Sequence, residues 1–191
     1  MPELSIDPKS TALVLIDLQN GITRNSTAPH ASGDVVSRAV RLADAFRSRG
    51  STVVLVRVAY AADGSDRLKM PTDAHPPAST PSADWSDIVP ELGPGKGDIV
   101  VTKRQWGAFY GTDLELHLRR RGIKTIVIGG ISTNFGVEST ARDACERAYA
   151  LVFVEDATSA MNAEGHVFAM TNIFPRLGLV RSTNEVLAAL G

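Results

Sequence analysis

The sequence predicts a single α/β domain spanning residues 1–191: a doubly wound, six-stranded, mostly parallel sheet with helices on both faces. Three observations lead there. Short β-branched runs alternate with amphipathic segments, the pattern of parallel strands joined by crossover helices. A length of 191 residues with 43% hydrophobic and 21% charged residues suits one domain with a full core. The third is an absence, since the chain shows no internal repeat or low-complexity tract that would suggest another architecture.

The elements follow in order. Residues 11–17 form the first strand, and Asp34 is placed to cap a helix whose apolar residues Val35, Ala39, Leu42, Ala43 and Phe46 share a face, with Gly50 as its stop. Residues 52–58 are the second strand. The stretch 59–97 is polar and rich in Pro, Ser and Asp, with a short helix expected around Trp85 to Leu92. A connection of that length usually serves function. The third strand covers Asp98 to Thr102, Thr112 caps a helix carrying Leu114, Leu116 and Leu118, and Gly122 ends it. Residues 124–128 are the fourth strand, Asn134 caps a helix to about Ala148, and 151–155 are the fifth strand. A helix over 162–174, a short strand over 177–181 and a helix capped by Thr183 complete the chain.

Composition excludes several roles. A net charge of −1 leaves no basic excess to neutralise phosphates, so no nucleic-acid partner is expected. No basic segment followed by an apolar stretch opens the chain, and no run approaches the roughly 20 apolar residues that span a bilayer. The expectation is a cytoplasmic protein without a membrane partner. The single cysteine, Cys145, has no internal disulfide partner.

Parallel crossovers are right-handed, so all strand carboxyl ends open on one edge of the sheet, where α/β folds place ligands. Asp17, Arg57, Lys103 and the loop after Gly130 therefore converge on one rim. Asp17 ends a buried strand and reads either as an acid or base, or as a cap for a nearby amide. A neighbouring lysine holds such a carboxylate ionised or positions it to pass a proton, and sequence does not choose between them. The Ser132-Thr133-Asn134-Phe135-Gly136 turn opens a helix whose free N–H groups suit an anion or developing oxyanion. Gly136 also lets substrate or water approach the backbone.

The remaining substrate-binding candidates each have a bland alternative. Gln19 holds substrate or the Asp17 carboxylate, or is a turn residue. Arg57 pairs with a substrate carboxylate, or with a local Asp. Trp106, Phe109 and Tyr110 wall a planar pocket or pack a subunit interface, and Phe135 does the same from the other side. Neither metal nor cofactor is expected. Asp63, Asp66, Asp73 and His75 lack ligand spacing, and His30, His117 and His166 are scattered. No Gly-x-Gly-x-x-Gly follows the first strand, and Gly93-Pro94-Gly95-Lys96-Gly97 lacks P-loop spacing.

Three ordered motifs resemble the isochorismatase-like hydrolases, the cysteine hydrolase superfamily, from about Thr11 to Arg181. They are Asp17-Leu18-Gln19, Lys103 with the following Arg104 to Leu114, and Gly130 to Ala144. The resemblance implies a six-stranded parallel sheet, a cleft often completed by a neighbouring subunit in a homodimer or homotetramer, and a non-proline cis peptide, placed here at Ile131–Ser132. Most members use an Asp–Lys–Cys triad to attack an amide or related carbon. In this sequence Gly136 stands at the nucleophile's position, which makes Asp17, Lys103 and Gly136 the catalytic candidates. Cys145, nine helical residues onward, lies about 13 Å away on the opposite face. Ser132, Ser139 and Thr140 have no histidine positioned by sequence to activate them.

True isochorismatases resemble this arrangement: they carry glycine at that position and cleave a vinyl ether without a covalent intermediate. That subfamily usually has a Tyr-Ala-His-type turn where this chain has Ser132-Thr133-Asn134. The implied activity is hydrolysis of a small anionic metabolite at a vinyl ether or related C–O or C–N bond, by Asp17 acid/base chemistry. The alternative is an inactive paralogue that binds a small molecule or serves as an interaction protein.

Overall fold

The computed structural model describes residues 4–74 and 81–190. Six strands form one parallel sheet: β1 (Thr11–Ile16), β2 (Thr52–Val58), β3 (Ile99–Lys103), β4 (Thr125–Ile131), β5 (Ala150–Ser159) and β6 (Leu179–Arg181), in the order β3-β2-β1-β4-β5-β6. All six residues of β1 are buried, because helices cover both faces of this central strand. The helices are α1 (Asn20–Thr23), α2 (Ser32–Ser48), α3 (Leu114–Arg120), α4 (Glu138–Glu146), α5 (Ala163–Phe168), α6 (Phe174–Leu177) and α7 (Thr183–Ala189).

The strand pleat divides the core in two. Leu13 and Leu15 pack with Leu42 and Phe46 of α2 and Val186 of α7. Ala12, Val14 and Ile16 face the other way, toward Leu114, Ala141 and Phe174, and Phe153 stacks on Phe174 at 4.0 Å. Chain order reverses between β1 and β4, so the crevice at their carboxyl ends is where ligands enter such sheets. Gly130 lets β4 approach β1 closely beside Ile16. Its φ is +123°, and a Cβ there would lie 2.1 Å from the Ile16 carbonyl oxygen.

Several boundaries differ from expectation for identifiable reasons. Helix α2 begins at Ser32, with Ala31 rather than Asp34 at the cap position, and Asp34 sits in the first turn, where its charge suits the helix dipole. No helix forms at Trp85 to Leu92, because backbone groups there serve the segment after β1. Asn20 N–H donates to Asp87 O, Gly21 N–H to Trp85 O and Val89 N–H to Leu18 O. A wide, π-type turn at Thr133–Val137 precedes α4, so Asn134 lies inside it and caps nothing. A second such turn, Ala169–Ile173, splits the expected 162–174 helix. Ser182, in a capping box with Glu185, caps α7, while Thr183 donates its hydroxyl to Asp156. The Ile131–Ser132 peptide is cis, at the expected bond. No helix among the described residues is long and apolar enough to cross a membrane.

Candidate active site

Asp17 follows β1 with φ +53°, a conformation Asp tolerates better than most residues, and its N–H donates to Val56 O at 2.8 Å. Its carboxylate is buried at the crevice. Lys103, the last residue of β3 and 2% exposed, donates from Nζ to Asp17 Oδ2 at 2.7 Å and to Gln105 O at 3.1 Å. Asp17 Oδ1 is buried with no hydrogen-bond partner among the described residues. Burial pushes the Asp17 pKa up to about 6, against the opposing pull of Lys103. Desolvation therefore outweighs the ion pair, and the carboxyl titrates near neutrality.

Gly136 completes the centre. A Cβ built on it would lie 3.0 Å from Asp17 Oδ2 and 3.5 Å from Lys103 Nζ. Its carbonyl accepts the Thr140 hydroxyl at 2.7 Å, and Thr140 Oγ1 accepts the Ala108 N–H at 3.1 Å, which ties the loop after β3 to the turn after β4. Asp17, Lys103 and Gly136 thus share the floor of one cavity of about 280 Å³ with Ser132. Its walls include Tyr60, Trp85, Trp106, Phe135 and Met161. Trp106 packs on Phe135 at 4.9 Å, and Tyr60 stacks on Trp85 at 6.3 Å. A groove of about 780 Å³ shares Tyr60, Gln105 and Trp106 with this cavity and adds Arg67, Lys69 and Arg104 at its mouth.

Ser132, Trp106 and Phe135 line the cavity, and the structure places the other five substrate-binding candidates outside that lining. Arg57 is absent from the lining because it and Val58 point to opposite faces of β2: Val58 lines the cavity, while Arg57 bonds Thr102 Oγ1 and Ser86 O and lies 3.9 Å from Asp87. Gln19 is fully buried and spent on backbone, donating to Val58 O and Trp85 O and accepting from Val58 N–H. It braces the cavity wall. Thr133 is also fully buried, with Oγ1 against His166 Nδ1 at 2.9 Å. Asn134 accepts the Ser132 hydroxyl at 3.0 Å from outside the lining. Tyr110 is 78% exposed and lies outside it too.

Other residues enter without an announcing motif. Tyr60, Trp85 and Met161 come from the long connection and from the end of β5, and only tertiary structure brings them to Asp17. Of the acidic residues after β2, Asp63 is engaged by Ser65 N–H and Asp66 by Ala61 N–H. His75 lies outside the described residues. Cys145 is partly buried on α4 and packs against the apolar core. Two histidines that look scattered in sequence, His30 and His166, meet around Glu155.

Comparison with known proteins agrees with this geometry. The isochorismatase domain model matches residues 11–185. The isochorismatase family protein YecD of Escherichia coli O157:H7 is 53% identical over 187 residues, covering 98% of this chain and 100% of YecD. An isochorismatase family protein from Burkholderia thailandensis superposes with a TM-score of 0.94 at 48% identity, covering 99% of each chain. The ureidoacrylate amidohydrolase RutB of Methylobacterium radiotolerans is 32% identical over 213 residues, covering 98% of this chain and 82% of RutB. A parallel sheet with this crevice, matched along nearly its whole length, places the chain in the isochorismatase family of hydrolases.

Proposed function

We propose that the protein hydrolyses a small, anionic, unsaturated metabolite by non-covalent acid/base catalysis at Asp17, with no protein nucleophile. The observation that carries this reading is the Asp17 carboxyl itself. One oxygen is held by Lys103 and the other is buried without a partner among the described residues, in a residue that lines a largely apolar cavity, with only glycine where a nucleophile would stand. With a pKa of about 6, about one molecule in ten carries the proton at pH 7. That proton sits on Oδ1, because Oδ2 accepts from Lys103.

For a vinyl ether, Asp17 donates the Oδ1 proton to the terminal vinyl carbon. The resulting oxocarbenium ion takes up water, whose proton returns to Asp17, and the hemiketal collapses to a carbonyl compound and an alcohol. Lys103 stabilises the carboxylate formed between the two proton transfers. The amidohydrolase among the relatives supports extending the bond class to C–N. Trp106, Phe135 and Trp85 suit a planar, conjugated group, and Arg67 and Lys69 in the adjoining groove suit an anionic one, in place of Arg57, whereas Arg104 there is already paired with Asp66. Exposed Trp106, Tyr110 and Phe168 support closure of the cleft by a second copy, a dimer or tetramer that mass measurements over a range of concentrations would detect.

The test is a screen of carboxylated vinyl ethers, amides and esters against wild type and Asp17→Asn. Turnover by wild type that falls at least about a hundredfold in Asp17→Asn supports acid catalysis. Binding without turnover would instead identify a binding protein that retains the fold.

A further inference from the structure

We propose that His30, Glu155 and His166 form a binding site for a divalent transition-metal ion of the zinc type, separate from the Asp17 cavity. Three groups distant in sequence converge there. His30 Nε2 lies 2.8 Å from Glu155 Oε1, and His166 Nε2 lies 3.2 Å from the same oxygen. One ligand atom from each residue falls within 4.8 Å of the other two. Ligands about 2.0–2.1 Å from a tetrahedral zinc are roughly 3.3 Å apart, so loading needs only small side-chain shifts. The two imidazoles meet edge to face, with ring centroids 5.6 Å apart and planes at 83°, so neither ring covers the other.

The surroundings hold these groups in place. His166 is 2% exposed, and its far nitrogen, Nδ1, lies 2.9 Å from Thr133 Oγ1. A partner on the outer ring nitrogen is how metal-ligating histidines are usually oriented. The His30 carbonyl accepts the hydroxyls of Thr27 and Ser159, both at 2.7 Å, and paired hydrogen bonds between Ala28 and Ala160 fasten this loop to the end of β5.

Two imidazoles and one carboxylate favour zinc, cobalt or nickel over magnesium or calcium, which prefer all-oxygen shells. Each ring binds through a proton-free Nε2. Its proton moves to Nδ1, where His166 donates it to Thr133 Oγ1, and a ring that starts as imidazolium releases its extra proton to solvent. The Glu155 side chain is 38% exposed and that of His30 23%, so water reaches the fourth position. None of the three residues lines the Asp17 cavity, which gives the ion a bracing role. It clamps the 27–31 loop, β5 and α5 together beside Thr133 and the turn that carries Gly136.

The test uses the full-length chain after treatment with chelator and dialysis. Calorimetric titration with Zn²⁺ is expected to show one equivalent bound, and Co²⁺ to give the intense visible bands of a four-coordinate site. Zn²⁺ should raise the melting temperature and chelator should reverse the rise. His30→Ala and Glu155→Gln, checked for native circular dichroism, should each lose the equivalent, while His117→Ala keeps it. Thr133→Val should weaken binding about 10- to 100-fold. The proposal is overturned if wild type binds neither Zn²⁺ nor Co²⁺ stoichiometrically, or if the equivalent survives in both His30→Ala and Glu155→Gln.

Discussion

A side chain on Gly136 would place its first carbon 3.0 Å from Asp17 Oδ2, closer than ordinary van der Waals contact with the buried acid. Gly136→Cys therefore sets a thiol beside a carboxylate and an ammonium, the environment that generates thiolates. The variant is expected to react with iodoacetamide at residue 136 far faster than at Cys145, which packs against the core. Peptide mapping after timed alkylation reads the difference, and an inert residue 136 would show that the cavity does not activate a thiol. Ile16 Cγ2, also 3.0 Å from the added carbon, must yield, so a stability loss of about 1–3 kcal/mol should accompany the new reactivity.

The proposed acid catalysis by Asp17 has a definite pH signature. Burial raises its pKa to about 6, so the protonated form is lost as pH rises through that value. The kcat/KM of wild type should be level below about pH 5 and fall about tenfold per pH unit well above 6. A profile that instead rises with pH through 6 would make Asp17 a base acting on water.

Fold and centre are legible in the sequence to different depths. Asp17 and Lys103 were readable because each ends a strand, and the α/β rule sends all such ends to one rim. Arg57 misleads under the same rule, since it is one residue short of Val58 and one residue reverses the face. Thr133 and Asn134 mislead because the turn is π-type rather than a capped α-helix, which swings Thr133 toward His166. Trp85 and Tyr60 are invisible for another reason. Hydrogen bonds from Asn20 and Gly21 across the long connection place Trp85, Tyr60 stacks on it, and no local periodicity reports either contact.

Gln19 offers a test of that connection. Its two hydrogen bonds with the Val58 backbone are buried, so Gln19→Leu strands the Val58 N–H and takes a donor from Val58 O, while Trp85 O keeps the Gly21 N–H. A loss of about 2–4 kcal/mol in denaturant unfolding is expected. Trp85 is a cavity wall, so KM should rise more than kcat falls, whereas loss at the acid itself would appear in kcat.

The Asp17–Lys103 pair opposes stability at the proposed catalytic acid. The folded-state pKa of Asp17 is above its ordinary 3.8, so the folded protein binds this proton more tightly than the unfolded chain between pH 3.8 and about 6. Its contribution is fully present below 3.8 and is lost as pH rises through 6, on the order of 3 kcal/mol. Asp17→Asn alone removes this dependence but leaves Lys103, 2% exposed and bonded to Gln105 O, without its countercharge, which costs about 3–5 kcal/mol. Replacing both, Asp17→Asn with Lys103→Met, removes the stranded charge as well. Denaturant unfolding at pH 8 should then find the double variant as stable as wild type or up to about 4 kcal/mol more stable, and flatter between pH 4 and 7. It should also be inactive, because the carboxyl that lowers stability is the one proposed to deliver the proton.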